Sequence, residues 1–185
     1  MSKIGIFMAD GCEEVEALTV VGMLRRAGIV IDMVSVTDRI RIVSSHKIEI
    51  TLDKTIDEVD FAGLDMIILP GGIPGVPNLE RCKLLMDELK EFARKKKYIS
   101  AICAAPSILG NLGLLKGKKA ISYPTFEEKL TGAEILRKPV VVSDNFITSR
   151  GVGTALEFAC AIIERLSSKD KAEQIADAVI YSRIG

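Results

Sequence analysis

Apolar and polar positions alternate between two periods along this chain, and the switches mark its elements. Residues 3–9, apolar from Ile4 onward, read as a buried-type first strand, followed by a turn at Asp10-Gly11-Cys12. Glu13 and Glu14 then open a helix, where acidic side chains suit the positive end of the dipole. Ala17, Val20, Val21 and Leu24 repeat at helical spacing and give it one apolar face, which Gly28 stops. Residues 29–36 read as a second strand. Two alternating stretches, 39–43 and 47–52, flank Ser44-Ser45-His46 and read as a β-hairpin arm with a polar face.

A short helical piece is expected at 56–61, then an apolar strand at 65–69 that runs into Pro70-Gly71-Gly72-Ile73-Pro74-Gly75. Leu85, Leu89 and Phe92 mark the next helix, and 97–102 the next strand. Residues 120–123 read as a strand, and 140–142 and 145–148 as two more joined at Ser143-Asp144. The last two helices carry Ala155, Phe158, Ala159, Ile162 and Leu166, then Ala172, Ile175, Ala176 and Val179. Strands alternating with helices predict an α/β sandwich with a mostly parallel sheet and helices on both faces. In such sheets the site lies beyond the carboxyl ends of the strands, where Asp10, Gly72 and Cys103 fall.

The 185 residues are 48% apolar, enough for one domain with a sizeable core. Lysine plus arginine balance aspartate plus glutamate at 25 each, so net charge makes no case for nucleic acid or an anionic membrane. No apolar run approaches membrane-spanning length, and Met1-Ser2-Lys3 leads directly into a strand, which predicts a cytoplasmic protein. Cysteines 12, 82, 103 and 160 form no CxxC pair. With a single histidine there is no zinc-type ligand spacing, so reduced thiols are expected.

Cys103 is where chemistry concentrates. It falls between the strand 97–102 and a helix beginning at Pro106, with Ala101, Ala104 and Ala105 as small neighbours. A strand-to-helix corner with one reactive atom at its tip is a nucleophile elbow. Its tip residue sits in a sparsely populated backbone conformation, at a cost of ~1–3 kcal/mol that surrounding packing must offset. The helix start just beyond favours thiolate over thiol. A free cysteine also packs well as a small buried apolar group, the role expected of Cys160 on its helix face. Cys12, in a turn near the site, is the expected competitor for reagents.

Four motifs in order, Gly11-Cys12-Glu13-Glu14-Val15-Glu16, Leu69-Pro70-Gly71-Gly72, Ala101-Ile102-Cys103-Ala104-Ala105-Pro106 and Thr148-Ser149-Arg150-Gly151-x-Gly153-Thr154, resemble the ThiJ/PfpI superfamily. Within it, the resemblance is to the branch of the parkinsonism-associated protein deglycase and its bacterial relatives. It spans nearly the whole chain and implies a flavodoxin-like single domain over 1–185, usually a homodimer. It also implies a reactive Cys103, a Glu16 carboxyl group touching its sulfur, and an anion pocket from the N–H groups near Gly72 and Ala104. By itself, Glu16 reads as a helix-surface carboxylate, Gly72 as a tight turn and Arg150 as a surface cation.

The chain departs from the pattern at two places. Tyr123 stands where that branch commonly has histidine, and Ala104 where the protease-like branch has it. The only histidine, His46, is in the hairpin arm, either as a surface residue or as an auxiliary reaching a partner subunit's pocket. A Cys-His dyad therefore cannot be assembled from the expected positions, which argues against peptidase chemistry. The resemblance implies a glyoxalase or deglycase acting on small ketoaldehydes such as methylglyoxal, or on their early adducts, without metal or organic cofactor. Cys103 would be the nucleophile, Glu16 the proton shuttle, and Tyr123 and Arg150 auxiliary groups. A redox-sensing or chaperone-like stress protein in which Cys103 is oxidised to sulfinate is the alternative.

Overall fold

The computed structural model describes residues 3–182; Met1, Ser2 and the three final residues, and with them the reading of the amino-terminal start, lie outside that range. In chain order the strands and helices are β1 (Lys3–Met8), α1 (Glu14–Arg26), β2 (Val30–Ser35), β3 (Arg41–Val43), β4 (Glu49–Thr51), β5 (Lys54–Thr55) and β6 (Met66–Leu69). There follow α2 (Gly75–Glu80), α3 (Lys83–Arg94), β7 (Tyr98–Ile102), α4 (Pro106–Asn111), β8 (Lys119–Ala120), β9 (Glu134–Ile135), β10 (Val140–Ser143), β11 (Phe146–Ser149), α5 (Ala155–Leu166) and α6 (Lys169–Ala178).

Seven strands form one sheet in the order β10-β11-β7-β6-β1-β2-β5. All neighbours are parallel except β10 and β11, which make an antiparallel hairpin. Successive β1 side chains serve opposite layers. Ile4, Ile6 and Met8 pack with Val20, Leu24, Phe158 and Ile175 of α1, α5 and α6, while Phe7 packs with Leu85, Leu89 and Phe92 of α3 and Ile108 of α4. With helices on both faces, the interior strands are buried throughout, so β6 reads MIIL without alternation. This is a flavodoxin-like α/β sandwich.

Register positions the site. Leu69 pairs with Ala101, and Ile102 with Ser149, so the segments after β6, β7 and β11 leave the sheet side by side. Strand order reverses between β1 and β6, and the crevice opens at that switch point.

Several sequence expectations change in detail. Of the strand expected at 120–123 only Ala120 lies in one, as the end of β8, which pairs with β9 in a separate sheet. Ile121 instead gives its N–H to Thr148 Oγ1 at 3.0 Å, and Pro124 then starts a 3-10 turn. The glycine-rich segment after β6 is shorter than a plain loop, because Gly75 begins α2. The piece expected at 56–61 resolves into 3-10 turns at Ile56–Glu58 and Phe61–Gly63. The hairpin arm is present as β3 and β4, with Ile42 opposite Ile50 and both buried. Asp10 faces that arm rather than Cys103, binding Arg39 at 2.9 Å and the Val43 N–H at 2.8 Å.

Candidate active site

Cys103 is the residue immediately after β7, and its φ is +64°. Left-handed backbone is costly for a side chain with a Cβ, so the turn has to be held from outside. Its N–H donates to Ser149 O at 3.0 Å, and its carbonyl accepts the Tyr123 N–H at 2.8 Å. The elbow is thus clamped between the β11 end and the segment around Tyr123.

Glu16 projects from the first turn of α1 into the interior, with no exposed surface. Its Oε2 accepts the Gly71 N–H at 2.9 Å. The carboxyl group lies against Cys103, and its Oε1 is buried without a hydrogen-bond partner among the described residues. The backbone leaves no slack around this pair. A Cβ on Gly71 would lie 2.5 Å from Cys103 Cβ and 2.7 Å from Glu16 Oε2, and one on Gly72 (φ +96°) would lie 2.4 Å from the Glu13 nitrogen. Glycine is required at both positions for the loop to approach so closely.

Burial pushes Glu16 up to about 7, with the charge of Glu13 adding to the rise and the Gly71 N–H opposing it. The Cys103 thiol is pushed up to about 12, first by burial and then by the charge on Glu16 and its hydrogen bond; the N–H groups of Ala104 and Gly72 face the sulfur and pull the other way. This corrects the expectation that a helix start alone makes Cys103 acidic. α4 is only six residues long, and desolvation outweighs it. Part of the rise, however, requires an ionised Glu16. When Glu16 keeps its proton, that repulsion is gone and an O–H is available to the thiolate, so the two groups titrate as one pair.

A pocket of about 500 Å³ opens over the sulfur, with Glu13, Glu16, Gly72, Tyr123, Arg150 and Gly151 in its walls. Tyr123 is half exposed at the mouth. Arg150 is half buried, its Nε without an acceptor among the described residues. Thr154 fastens this wall, bonding Ser149 Oγ at 2.7 Å and the Gly151 carbonyl at 2.9 Å. Sequence reasoning brought Cys103, Glu16, Gly72, Ala104, Tyr123 and Arg150 to this place. It missed Gly71, Gly151 and Glu13, although Pro70-Gly71-Gly72 and Gly151-x-Gly153 were visible as signals. His46 is not in the pocket wall; its Nδ1 lies 2.8 Å from Glu14 and 3.7 Å from Glu13. Cys12 is fully buried and its thiol is pushed up to about 12, so it is no accessible competitor.

A flavodoxin-like sandwich with a strained cysteine elbow and a buried carboxyl partner defines a class of cysteine-centred α/β proteins. The chain belongs to the DJ-1/PfpI family, which it matches over residues 2–165. It is 37% identical over 179 residues to Protein DJ-1 homolog B of Arabidopsis thaliana, covering 96% of this chain but only 41% of that protein. It is 35% identical over 181 residues to the glutathione-independent glyoxalase DJ-1 of Schizosaccharomyces pombe, covering 92% of this chain and 94% of that one. The structure of oxidized Toxoplasma gondii DJ-1 superposes with a TM-score of 0.94 at 35% identity, covering 98% of this chain and all of that one. No helix among the described residues is long and apolar enough to cross a membrane.

Proposed function

We propose that residues 1–185 form one cytoplasmic domain that acts as a cofactor-free, cysteine-dependent glyoxalase on small ketoaldehydes such as methylglyoxal. The observation that carries this reading is the pairing of Cys103, in left-handed backbone, with a buried Glu16 at the floor of one pocket. The S. pombe relative named as a glutathione-independent glyoxalase supports it.

In this mechanism Cys103 Sγ adds to the aldehyde carbon while Glu16 holds the site's proton. A C–S bond forms, and the carbonyl oxygen takes up negative charge beside the N–H groups of Gly72 and Ala104. Glu16 gives its proton to that oxygen, and the carboxylate so formed takes the proton from the former aldehyde carbon and returns it to the adjacent carbon, which reduces that carbon and oxidises the sulfur-bearing one to a thioester. Water cleaves the thioester, releasing the hydroxy acid and the thiol. Burial tunes Glu16 for this role, since an acid–base group titrating near neutral pH can both give and take a proton. Arg150 and Tyr123 at the wall and mouth orient substrate.

The test is conversion of methylglyoxal to lactate by purified protein. Replacing Cys103 by serine should reduce it roughly a hundredfold or more, because a hydroxyl without a base is a poor nucleophile. Lactate formation at the parent rate by the serine protein would remove covalent catalysis.

The oxidised state of the T. gondii structure supports a second reading, in which Cys103 is a redox sensor. A sulfinate there would accept hydrogen bonds from Glu16 and the same N–H groups. Peroxide titration followed by intact mass tests it: two added oxygens, absent in Cys103→Ala, are expected, and oxidation elsewhere would overturn it. The domain is further proposed to act as a homodimer through the adjoining face of α1 and the hairpin arm. Val15, Leu18, Ile40, Val43 and Ile48 are exposed on it, and sedimentation of Leu18→Asp should give monomers; an unchanged dimer would place the interface elsewhere.

A further inference from the structure

At the rim of the Cys103 pocket, a second gathering of chemical groups lies where the tip of the hairpin arm meets the start of α1. One ligand atom from each of Glu13, Glu14 and His46 lies within 4.8 Å of the other two. Their backbone segments are locked together. Gly11 donates to Val43 O at 2.7 Å, Ser45 to Cys12 O at 2.8 Å, and Val43 to the Asp10 carboxylate at 2.8 Å. Donor atoms held by such a frame need little reorganisation to receive a ligand.

The charge on this cluster is unbalanced. Glu14 is buried and Glu13 nearly so, yet within 4 Å their only cationic partner among the described residues is His46, which is charged only when protonated. Among the described residues, no lysine or arginine side chain pairs with either carboxylate. Ser45 Oγ, at 3.3 Å from Glu13 and 3.5 Å from Glu14, adds a neutral dipole and no charge.

We propose that Glu13, Glu14 and His46 form a binding site for a divalent cation of the zinc class, Zn²⁺ or Co²⁺, with water completing its coordination. One imidazole nitrogen and two carboxylates suit a borderline ion. They lack the thiolate that selects copper(I) and the all-oxygen shell that selects calcium or magnesium. Spacing agrees. Bonds of ~2.0–2.1 Å to a tetrahedral ion place donor atoms roughly 3.3 Å apart, and His46 Nδ1 lies 2.8 Å from Glu14 Oε1 and 3.7 Å from Glu13 Oε2. The ion takes the place of the His46–Glu14 hydrogen bond as the clasp between arm and helix. Because Glu13 also lines the Cys103 pocket, the ion's charge would stand at that pocket's rim. Chain spacing could not show this site, since 32 residues separate Glu14 from His46.

The experiment is titration of Co²⁺ into full-length Cys103→Ala protein, followed by visible absorption and calorimetry. Removing the active-site thiol keeps a competing sulfur ligand out of the reading. One equivalent should bind with d–d bands of low coordination and no sulfur charge-transfer band. His46→Ala, at an exposed position, and Glu14→Gln should each weaken binding roughly tenfold or more, with unchanged circular dichroism. Absence of binding, equal affinity in the His46 variant, or a sulfur-to-cobalt band would each overturn the proposal. None of these readouts depends on ketoaldehyde turnover.

Discussion

Cys103 and Cys12 stand at the carboxyl ends of two strands of the same sheet, and burial pushes both thiols up to about 12. Their surroundings differ in three respects. Cys12 is sealed, and the charges of Glu14, Glu13 and Asp10 raise it further. Cys103 faces a pocket, two N–H groups and a carboxyl group that itself titrates near neutrality. On the proposed function, reactivity at the elbow would not rest on an intrinsically acidic thiol. It would rest on a neighbour able to hold the proton the thiol gives up.

The comparison breaks most severely if the Cys103–Glu16 contact is wedged apart. Gly71→Ala places a methyl group against both Cys103 Cβ and Glu16 Oε2. Activity should be abolished while the fold survives, at a cost of ~1–3 kcal/mol of stability in denaturant unfolding. A fully active Gly71→Ala protein would mean that the close approach has no bearing on chemistry.

Next in size is the pH dependence that Glu16 imposes. Its folded value, about 7, lies above the ordinary 4.5, so between these the folded chain keeps a proton that the unfolded chain has released. This contribution is fully present below about pH 4.5 and is lost as pH rises through about 7, amounting to about 3 kcal/mol at most. Urea unfolding should show stability falling across that window in the parent protein, and the fall should be absent in Glu16→Gln. A retained slope in that variant would assign the proton elsewhere. The same contact should appear in the thiolate. Absorbance titration should give a higher Cys103 pKa in Glu16→Leu than in Glu16→Gln, by roughly one to two units, because only the amide keeps a donor. The opposite order would mean that Glu16 acts as a charge.

Alkylation then sharpens the contrast between the cysteines. Brief iodoacetamide treatment and peptide mapping should label Cys103 first, the partly exposed Cys82 later, and the buried Cys12 and Cys160 only on unfolding. Labelling of Cys12 ahead of Cys103 would invert the comparison. The smallest effect is expected at Tyr123, whose backbone N–H, rather than its phenol, holds the elbow. Tyr123→Phe should alter KM severalfold and leave kcat nearly unchanged; a large loss of kcat would make the phenol a proton donor.

Much of this architecture was legible along the chain. Apolar runs bounded by glycine and proline marked the parallel strands, because strands buried on both faces have no polar side to show. The 3.6-residue repeat of Ala17, Val20, Val21 and Leu24 marked α1, and small residues around Cys103 marked a corner that only small side chains permit. Short-range signals failed where partners lay far away. Residues 120–123 had strand composition, but the Ile121 N–H went to the Thr148 side chain instead of a backbone carbonyl of a neighbouring strand. Glu16 looked like any carboxylate in a first helical turn. Its complete burial, its shifted titration and its contact with sulfur arise only when α1, the Gly71 loop and the β7 elbow converge. The sequence by itself determined which segments become strands and helices and which thiol sits at a strained turn, since those follow from local periodicity and steric bulk. Which carboxyl group lies against that thiol became legible only in three dimensions, because desolvation and contact belong to groups brought together across 55 residues or more of chain.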